Sequence, residues 1–388
     1  MNEYFSVSIF GPRQCGKTTL AKTLFPSFSY ANLEDMNVRS LAKNDPEEFF
    51  TRFPEPVIID EIQRVPELLS TVQVRIDKNQ KKGQYLITGS QQISLKSSIT
   101  QSLAGRTAIV QMLPLSISEL YSANIKLDRD SQLVSGFMPF LYAESGHSPF
   151  EYYKNYVNTY LERDIVQIAA VHDLIRFEKF MRLLAGRVGQ LVNNSILATE
   201  VGVSSTTISS WLSVLEASHV IYTLKPWFKN RNSQVVKTPK IYFCDTGLVS
   251  YLLGIETPEQ MIRDPLLGNI FENFVVIEAL KTRLNLGLEP NLYFFRNSNG
   301  LEIDLILQEQ NKLKLFEIKS GKSLNDEFCR NMKNFSAKYN EDIASDSTKG
   351  TVIYSGETYE SYKDFGFYNF SNIPQLFESK NQTFRLNF

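Results

Sequence analysis

The clearest chemical pattern in the chain lies near its start, where positions 11–18 read Gly-Pro-Arg-Gln-Cys-Gly-Lys-Thr. This matches the phosphate-binding pattern G-x-x-x-x-G-K-[ST]. It stands between an apolar run at 5–10, typical of a strand, and an amphipathic run at 19–24, typical of a helix. Backbone N–H groups of such a loop and helix start converge on one spot and favour an anion. The residues expected to contact a nucleotide are Gly11, Pro12, Arg13, Gln14, Cys15, Gly16, Lys17, Thr18 and Thr19.

Two adjacent carboxylates extend this pattern. The aliphatic run at 57–59, typical of a strand buried on both faces, ends in Asp60 and Glu61. Carboxylates at such a strand end are costly unless a site uses them. Lys17 is expected to reach the β- and γ-phosphates, and Thr18 and Asp60 to hold Mg²⁺. Glu61 is expected to orient and deprotonate the attacking water.

A polar residue is expected between these carboxylates and the γ-phosphate. The strand at 84–87 leads into Thr88, Gly89 and Ser90, of which Ser90 is the first candidate and Thr88 the second. Gly-Ser after a strand is also ordinary turn chemistry, so the functional and the structural interpretations both stay open.

Arg106 is a candidate for action between subunits. A helical stretch at about 95–104 is followed by Gly105, a typical helix C-cap, and then by a strand at 108–113. The guanidinium is thereby expected at the rim of the sheet, where it can act as an arginine finger on a neighbour's γ-phosphate. The alternative is a rim arginine that pairs with a local carboxylate.

Composition describes the class of protein. The chain has 388 residues, a length that suggests two or three domains. Its composition, 43% hydrophobic and 21% charged, is typical of globular proteins, and its net charge is −1. Any nucleic-acid contact must then use local basic patches. Three scattered cysteines and three isolated histidines predict neither disulfides nor a zinc site. No apolar run approaches ~18 residues, so we expect a cytoplasmic protein without membrane contact.

The chain resembles, nearly end to end, the bacterial and archaeal AAA+ ATPases that carry a C-terminal domain of uncharacterised function. This resemblance implies a parallel α/β sheet, ATP and ADP as ligands, Mg²⁺ and ATP hydrolysis. The chain differs from such proteins at Cys15, where an aliphatic residue is expected, and in lacking a helical segment before the first strand. The matching segments are residues 11–20, 58–63, 86–91, 102–106, 159–165 and 243–248.

The middle of the chain has a helical pattern from about 115 to 191, interrupted by Gly-Phe-Met-Pro at 136–139, which suggests a hinge. Arg163 lies in this part; it is expected either to act on the nucleotide from a lid or to pair with a nearby carboxylate. Residues 194–224 read as helix, turn with Gly202, helix and strand, the pattern of a helix-turn-helix or winged helix.

Charge argues against strong DNA binding by the second of those helices, because no Lys or Arg lies between Arg187 and Lys225. Basic residues return in the stretch 225–240, where Trp227 and Phe228 accompany them. That stretch is expected either to grip a nucleic-acid backbone and stack a base or to pack against protein.

The C-terminal part holds a second constellation. Glu272 lies in a predicted helix, Asp304 in one strand of a hairpin, and Glu317 and Lys319 on one face of the other strand. The arrangement resembles restriction-endonuclease-like PD-(D/E)xK proteins, although Ile303 stands where proline is expected. The resemblance implies Mg²⁺ on the carboxylates and Lys319 beside the attacking hydroxide. The alternative is a solvated hairpin face with alternating charges.

The sequence therefore predicts an α/β AAA+ ATPase that couples its nucleotide state to DNA or partner handling. The alternative is a nucleotide-gated binding switch with an inactive nuclease fold. If Arg106 acts on a neighbour's nucleotide, the active form is a homo-oligomer. The expected domains are a P-loop domain at 1–122, a helical lid or linker at 123–192, a winged-helix-like domain at 193–245 and a restriction-endonuclease-like domain at 246–388.

Overall fold

The computed structural model describes residues 1–90, 102–144, 146–159, 173–229, 236–344 and 348–378. The chain forms two compact units. Among the described residues, we call Met1–Pro114 together with Ala217–His219 unit 1, and residues 115–216 and 220–378 unit 2. The helix expected at about 95–104 lies mostly outside the described residues, and Arg163 lies outside them.

Unit 1 is built on a five-stranded parallel sheet in the order β2-β3-β4-β1-β5. This confirms the predicted α/β class. The strands are β1 Ser6–Phe10, β2 Ser29–Asn32, β3 Val57–Asp60, β4 Tyr85–Gly89 and β5 Thr107–Gln111. The helices are α1 Lys17–Leu24, α2 Met36–Asn44, α3 Pro46–Arg52 and α4 Leu68–Asn79.

Apolar side chains cover both faces of this sheet, as the continuous aliphatic runs predict. Ile59 and Ile87 pack in a core with Val72 of α4, and Ile58 and Leu86 pack on the other face against helix α1. Burial of each such side chain stabilises the fold by about 2 kcal/mol. Because helices cover both faces of the sheet, the polar loops that follow the carboxyl ends of the strands form its accessible edge.

Unit 2 combines helices with an eight-stranded mixed sheet in the order β12-β13-β11-β10-β9-β8-β6-β7. Its helices are α5 Ile117–Ser122, α6 Arg129–Ser135, α7 Phe140–Ala143, α8 Pro149–Tyr156, α9 Leu174–Ala185, α10 Asn194–Val201, α11 Ser205–Ala217 (whose last residue belongs to unit 1), α12 Thr246–Leu253, α13 Pro258–Arg263, α14 Leu267–Asn285, α15 Arg330–Tyr339 and α16 Ile373–Phe377. Its strands are β6 Ile221–Pro226, β7 Lys240–Phe243, β8 Leu292–Arg296, β9 Glu302–Glu309, β10 Lys312–Lys319, β11 Thr351–Tyr354, β12 Tyr359–Tyr362 and β13 Phe365–Asn369.

The helix-turn-helix pattern of the sequence corresponds to α10 and α11. Gly202 ends α10 with a left-handed φ of 84°, a conformation that glycine adopts without steric cost. Trp211 of α11 packs edge-on against Phe177 of α9, with ring centroids 5.2 Å apart. The strand that follows, β6, pairs with β7 in an antiparallel hairpin.

The contacts of the described residues group the chain into two compact units, the first of which runs to Pro114. The four-part division expected from the sequence stays a prediction. The expected boundary at 245/246 lies within one sheet, because Lys225 and Pro226 of β6 pair in parallel with β8. Backbone hydrogen bonding between distant segments is not visible in a linear pattern, so this continuity of the sheet could not be read from the sequence.

A buried carboxylate organises the helical part of unit 2. Asp245 caps α12 through the N–H groups of Gly247 and Leu248, and it also accepts hydrogen bonds from Phe137 N (2.8 Å) and Tyr153 Oη (2.6 Å). The segment that the sequence suggested as a hinge is therefore tied to α8 and α12 by one side chain.

Gly136→Ala is expected to destabilise unit 2 by about 3 kcal/mol or more. The residue has a left-handed φ of 66°, and a Cβ there would overlap the Asp245 carboxylate and the Tyr153 hydroxyl. Gly202→Ala is the matched control, since its φ is also positive but the surrounding space is open; about 1 kcal/mol is expected there. Urea unfolding measures both, and equal losses would contradict the steric argument.

Candidate functional site

The phosphate loop connects β1 to α1 along a path that needs small residues. Gln14 and Gly16 have left-handed φ values of 61° and 96°. A Cβ on Gly11 would overlap the carbonyl oxygen of Met112 in the segment after β5. Glycine at position 11 is thus required by the close approach of two backbone segments.

The start of α1 presents donors to an anion. Its N-cap, Gly16, supplies no side-chain cap, so within the described part of the chain no side chain caps the first N–H groups. The side chain of Lys17 is buried, and its Nζ donates to the carbonyl oxygens of Gly11 (3.0 Å) and Pro12 (2.7 Å). Charged phosphate oxygens are stronger acceptors than these carbonyls, so the ammonium is poised to exchange partners.

Asp60 lies at the centre of a hydroxyl cluster at the end of β3. Its Oδ2 accepts from Thr18 Oγ1 (2.9 Å) and from Tyr30 Oη (2.7 Å), and its Oδ1 accepts from Thr88 Oγ1. The structure thus brings together Thr18 and Asp60, the two residues expected to hold Mg²⁺. Hydroxyl and carboxylate oxygens are the hard donors that Mg²⁺ prefers, so this pair fits the ion.

Glu61 leaves the strand with a left-handed φ of 60°, an uncommon conformation for a non-glycine residue and one that is frequent at functional sites. Its Oε2 accepts from Gln63 Nε2 and from Ser90 Oγ (3.3 Å), and Gln63 Nε2 also contacts Ser90 Oγ (2.9 Å). Ser90 therefore lies beside Glu61, whereas Thr88 lies beside Asp60. Both residues that the sequence offered for the polar position thus contact a carboxylate, Thr88 that of Asp60 and Ser90 that of Glu61.

Sequence reasoning gave no role to Tyr30 or Gln63. Tyr30 reaches Asp60 because β2 pairs with β3, with Tyr30 opposite Ile58. Burial, together with the hydrogen bond to Asp60, raises the pKa of the Tyr30 hydroxyl, so it remains a donor. The contact between Tyr30 and Asp60 could have been predicted only from the strand order, which the sequence does not give.

The remaining loop residues differ in exposure. Arg13 forms an ion pair with Glu34 (3.4 Å), which also pairs with Arg64 (2.8 Å). Gln14 and Thr19 are exposed. Cys15 is fully buried and burial raises the pKa of its thiol, which keeps the sulfur protonated and unreactive and agrees with a space-filling role.

Arg106 lies immediately before β5 and forms a two-point ion pair with Asp77 of α4. The Nε–Oδ1 distance is 2.7 Å and the Nη2–Oδ2 distance is 2.9 Å. Within the single chain it is thus a paired rim arginine, the alternative that the sequence left open.

The predicted C-terminal constellation gathers at one end of the β9–β10 hairpin. Lys319 Nζ contacts Glu317 Oε1 (2.7 Å) and Asp304 Oδ2 (3.6 Å), and Asp304 Oδ2 accepts from the backbone N–H of Ile318 (2.9 Å). Glu272 of α14 instead accepts from Lys240 and from Tyr242 Oη (2.6 Å).

Two features of this cluster matter for its chemistry. Glu317 Oε2 is buried and has no hydrogen-bond partner among the described residues. Burial first, and the Asp304 charge second, raise the pKa of Glu317 to about 8. Among those residues, no three carboxylate, imidazole or thiol side chains are arranged as a ready metal site. Any cation there would rest on two carboxylates and water, as Mg²⁺ sites often do.

Lys240 follows the second alternative for the stretch 225–240, packing against protein. Its side chain is 4% exposed and bridges Glu272 (2.9 Å) and Glu302 (2.7 Å). Desolvation opposes its charge, but the surrounding carboxylates prevail and raise its pKa, so it stays an ammonium ion.

The two aromatic residues of the same stretch differ in burial, since Phe228 is exposed. Trp227 is buried and packs edge-on against Phe335 and Tyr339, which excludes stacking on a nucleobase. Lys229 pairs with Asp342 at 2.7 Å. Lys225 is exposed.

Comparison with known proteins assigns families to most of the chain. Residues 4–121 match the family described as AAA domain, residues 127–259 a domain of unknown function (DUF8612), and residues 267–376 a domain of unknown function (DUF4143). The AAA match confirms that the first part of the chain is an AAA-type domain. The DUF4143 match states no activity, so the likeness to restriction endonucleases remains a prediction.

Two relatives are similar in sequence over most of this chain. The chain is 33% identical over 315 residues to the uncharacterized proteins Rv2008c of Mycobacterium tuberculosis and Mb2031c of Mycobacterium bovis, across 81% of this chain and 70% of each relative. The structure of the Walker-type ATPase PABY2304 of Pyrococcus abyssi is similar at 14% identity and a TM-score of 0.38, over 64% of this chain and 91% of that one. No helix among the described residues has the length and apolarity to cross a membrane.

Proposed function

Because the chain belongs to the family of these two mycobacterial proteins and has an AAA-type ATPase domain, we propose that unit 1 binds ATP with Mg²⁺ and hydrolyses it. The observation that carries the proposal is the 2.9 Å contact between Thr18 Oγ1 and Asp60 Oδ2, beside the buried Lys17 ammonium. Phosphate loop, metal ligands and carboxylate base then lie at one edge of one sheet.

The roles of the side chains follow from these contacts. Lys17 leaves the carbonyl oxygens of Gly11 and Pro12 and donates to phosphate oxygens. Glu61, held by Gln63 and Ser90, accepts the proton of the attacking water. Thr18 and Asp60 would hold Mg²⁺, which would supply charge neutralisation on the phosphates.

Tyr30 and Thr88 fix the orientation of the Asp60 carboxylate through both of its oxygens. A carboxylate held in this way keeps one geometry, which is the role of hydrogen-bonding groups around a metal ligand.

A role for Arg106 in trans is part of the same proposal. The guanidinium would exchange Asp77 for a neighbouring subunit's γ-phosphate, which makes the active form a homo-oligomer. Exposure of this exchangeable ion pair at the rim of the sheet supports it.

The direct test of the proposal is isothermal titration of the purified, folded chain with ADP and ATP, with and without Mg²⁺. Binding strengthened by Mg²⁺ supports it. The absence of heat at millimolar nucleotide, with the fold verified by circular dichroism, would overturn it.

For unit 2 we propose DNA handling at the Asp304, Glu317 and Lys319 cluster. The unpartnered, buried Glu317 Oε2 supports a bound divalent cation, because a buried carboxylate oxygen without a donor is costly. Lys319, in contact with both carboxylates, is placed to position a hydroxide or a phosphodiester oxygen. The second candidate is a switch that retains DNA or a partner protein without cleaving it.

Asp304→Asn and Lys319→Ala are each expected to reduce Mg²⁺- or Mn²⁺-dependent cleavage of plasmid or single-stranded DNA by about 100-fold or more, since metal-assisted stabilisation amounts to several kcal/mol. The exposed Lys322→Ala is the matched control. No cleavage by the parent protein, but ATP-dependent DNA retention that falls steeply with salt, would instead favour the switch.

A further inference from the structure

His219 is a buried histidine outside the sequence motifs. It lies between α11 and β6, is 6% exposed, and has a left-handed φ of 55°. Ala217–His219 belong to unit 1, whereas the chain on either side belongs to unit 2. A non-glycine residue in this conformation is held there by its surroundings.

One hydrogen bond fixes the proton position on the ring. Gln111 Nε2 lies 3.0 Å from His219 Nδ1. An amide nitrogen is a donor, so Nδ1 is the acceptor and the ring proton of the neutral imidazole is on Nε2. That Nε2–H is buried and has no partner among the described residues. A buried donor of this kind calls for an acceptor.

The partner of His219 lies at the start of the phosphate loop. Gln111 pairs with Phe10 in the β1–β5 register, and Phe10 directly precedes Gly11. The next residue, Met112, donates its N–H to Phe10 O (2.7 Å). Burial first, and the Lys17 charge second, lower the pKa of His219 to about 4, so the imidazole is neutral at neutral pH.

We propose that His219 is a nucleotide-binding residue whose Nε2–H donates to a phosphate oxygen of the bound ATP or ADP. This rests on the proposed function of the phosphate loop. A phosphate is favoured over the base or the ribose because Gln111 directly precedes Met112, whose carbonyl oxygen lies against Gly11 and accepts from Cys15 of the phosphate loop. The contact links the nucleotide to the segment that joins α11 to β6.

The first test reads the imidazole directly. The chain has three histidines, so ¹⁵N-histidine labelling gives few signals, and His219→Gln assigns the one of interest. The free protein is expected to show the Nε2–H tautomer at neutral pH. ADP and inorganic pyrophosphate are expected to shift the Nε2–H signal, whereas adenosine is not. A shift with adenosine but not with pyrophosphate would overturn the phosphate assignment.

The second test compares two amides at position 219. Asparagine tolerates the left-handed backbone, but its amide matches the position of Nδ1 and cannot reach that of Nε2, whereas glutamine reaches it. His219→Asn is expected to weaken ADP binding about 10-fold or more, the value of a hydrogen bond to a charged group, and His219→Gln to retain most of the affinity. His147→Gln in unit 2 is the control.

The outcome for His219 is separable from that for the phosphate loop. If the parent protein binds ADP and Lys17→Ala does not, the proposed function stands. If His219→Asn then binds ADP as tightly as the parent, with an unchanged melting temperature, the inference is overturned and the proposed function is not. A lowered melting temperature in both amide variants, with unchanged NMR shifts on ADP addition, overturns it as well.

Discussion

Replacing Lys17 with alanine is expected to lower the affinity for ATP and ADP by about 100-fold or more. The side chain is 5% exposed, and its ammonium is held by two carbonyl oxygens at the point where phosphates would bind. Removing one partner of a buried, hydrogen-bonded charge pair costs about 2–5 kcal/mol, and 1.4 kcal/mol corresponds to a factor of ten. Isothermal titration with ADP and a slowly hydrolysed ATP analogue measures the loss.

The control is Lys78→Ala, which removes an exposed lysine of α4 at the same change in net charge. It is expected to leave affinity within about twofold, because an exposed charge is screened by solvent and salt. Nearly equal affinities of the two variants would show that the loop does not bind phosphate through Lys17. The melting temperature without nucleotide separates this result from misfolding.

Glu61→Gln is expected to leave nucleotide affinity nearly unchanged and to reduce turnover about 100- to 10,000-fold, the range for loss of a general base. Glutamine retains the shape of the side chain and an oxygen that accepts from Gln63 or Ser90, so the local structure is preserved. An amide has no basicity to remove a proton from water. Phosphate release under saturating ATP and Mg²⁺ measures the effect.

Glu67→Gln is the control for this substitution, because Glu67 is an exposed carboxylate at the start of α4. It is expected to hydrolyse ATP at the parental rate. An unchanged rate in Glu61→Gln would remove Glu61 from the mechanism and leave the remaining carboxylate, Asp60, as the group to examine.

Local signals predicted the first unit well. An apolar run, a glycine-rich loop and an amphipathic run occupy consecutive positions, so the strand β1, the loop and the helix α1 follow directly from the sequence. The aliphatic residues before Asp60 predicted a buried strand, and all four residues of β3 are buried. The sheet then places the loop beside the two carboxylates without further assumptions.

Features that depend on distant pairing could not be predicted in this way. Tyr30 contacts Asp60 only because β2 lies beside β3, and Lys240 meets Glu272 and Glu302 across segments 32 and 62 residues away. The basic residues around Trp227 do not indicate whether its side chain is exposed to solvent or buried in a core. Burial decides its role, and burial is set by packing partners that the linear pattern does not identify.

The position of Lys240 on β7 has a consequence for how this protein can be divided. Its ammonium pairs with carboxylates carried by α14 and β9, so a fragment that begins after residue 245 lacks the cation that contacts both Glu272 and Glu302. That fragment also lacks β6, which pairs with β8 on the side opposite β9. Residues 221–319 therefore form one structural unit. Natural fusions and truncations of this protein should have their end points outside this range and not within it.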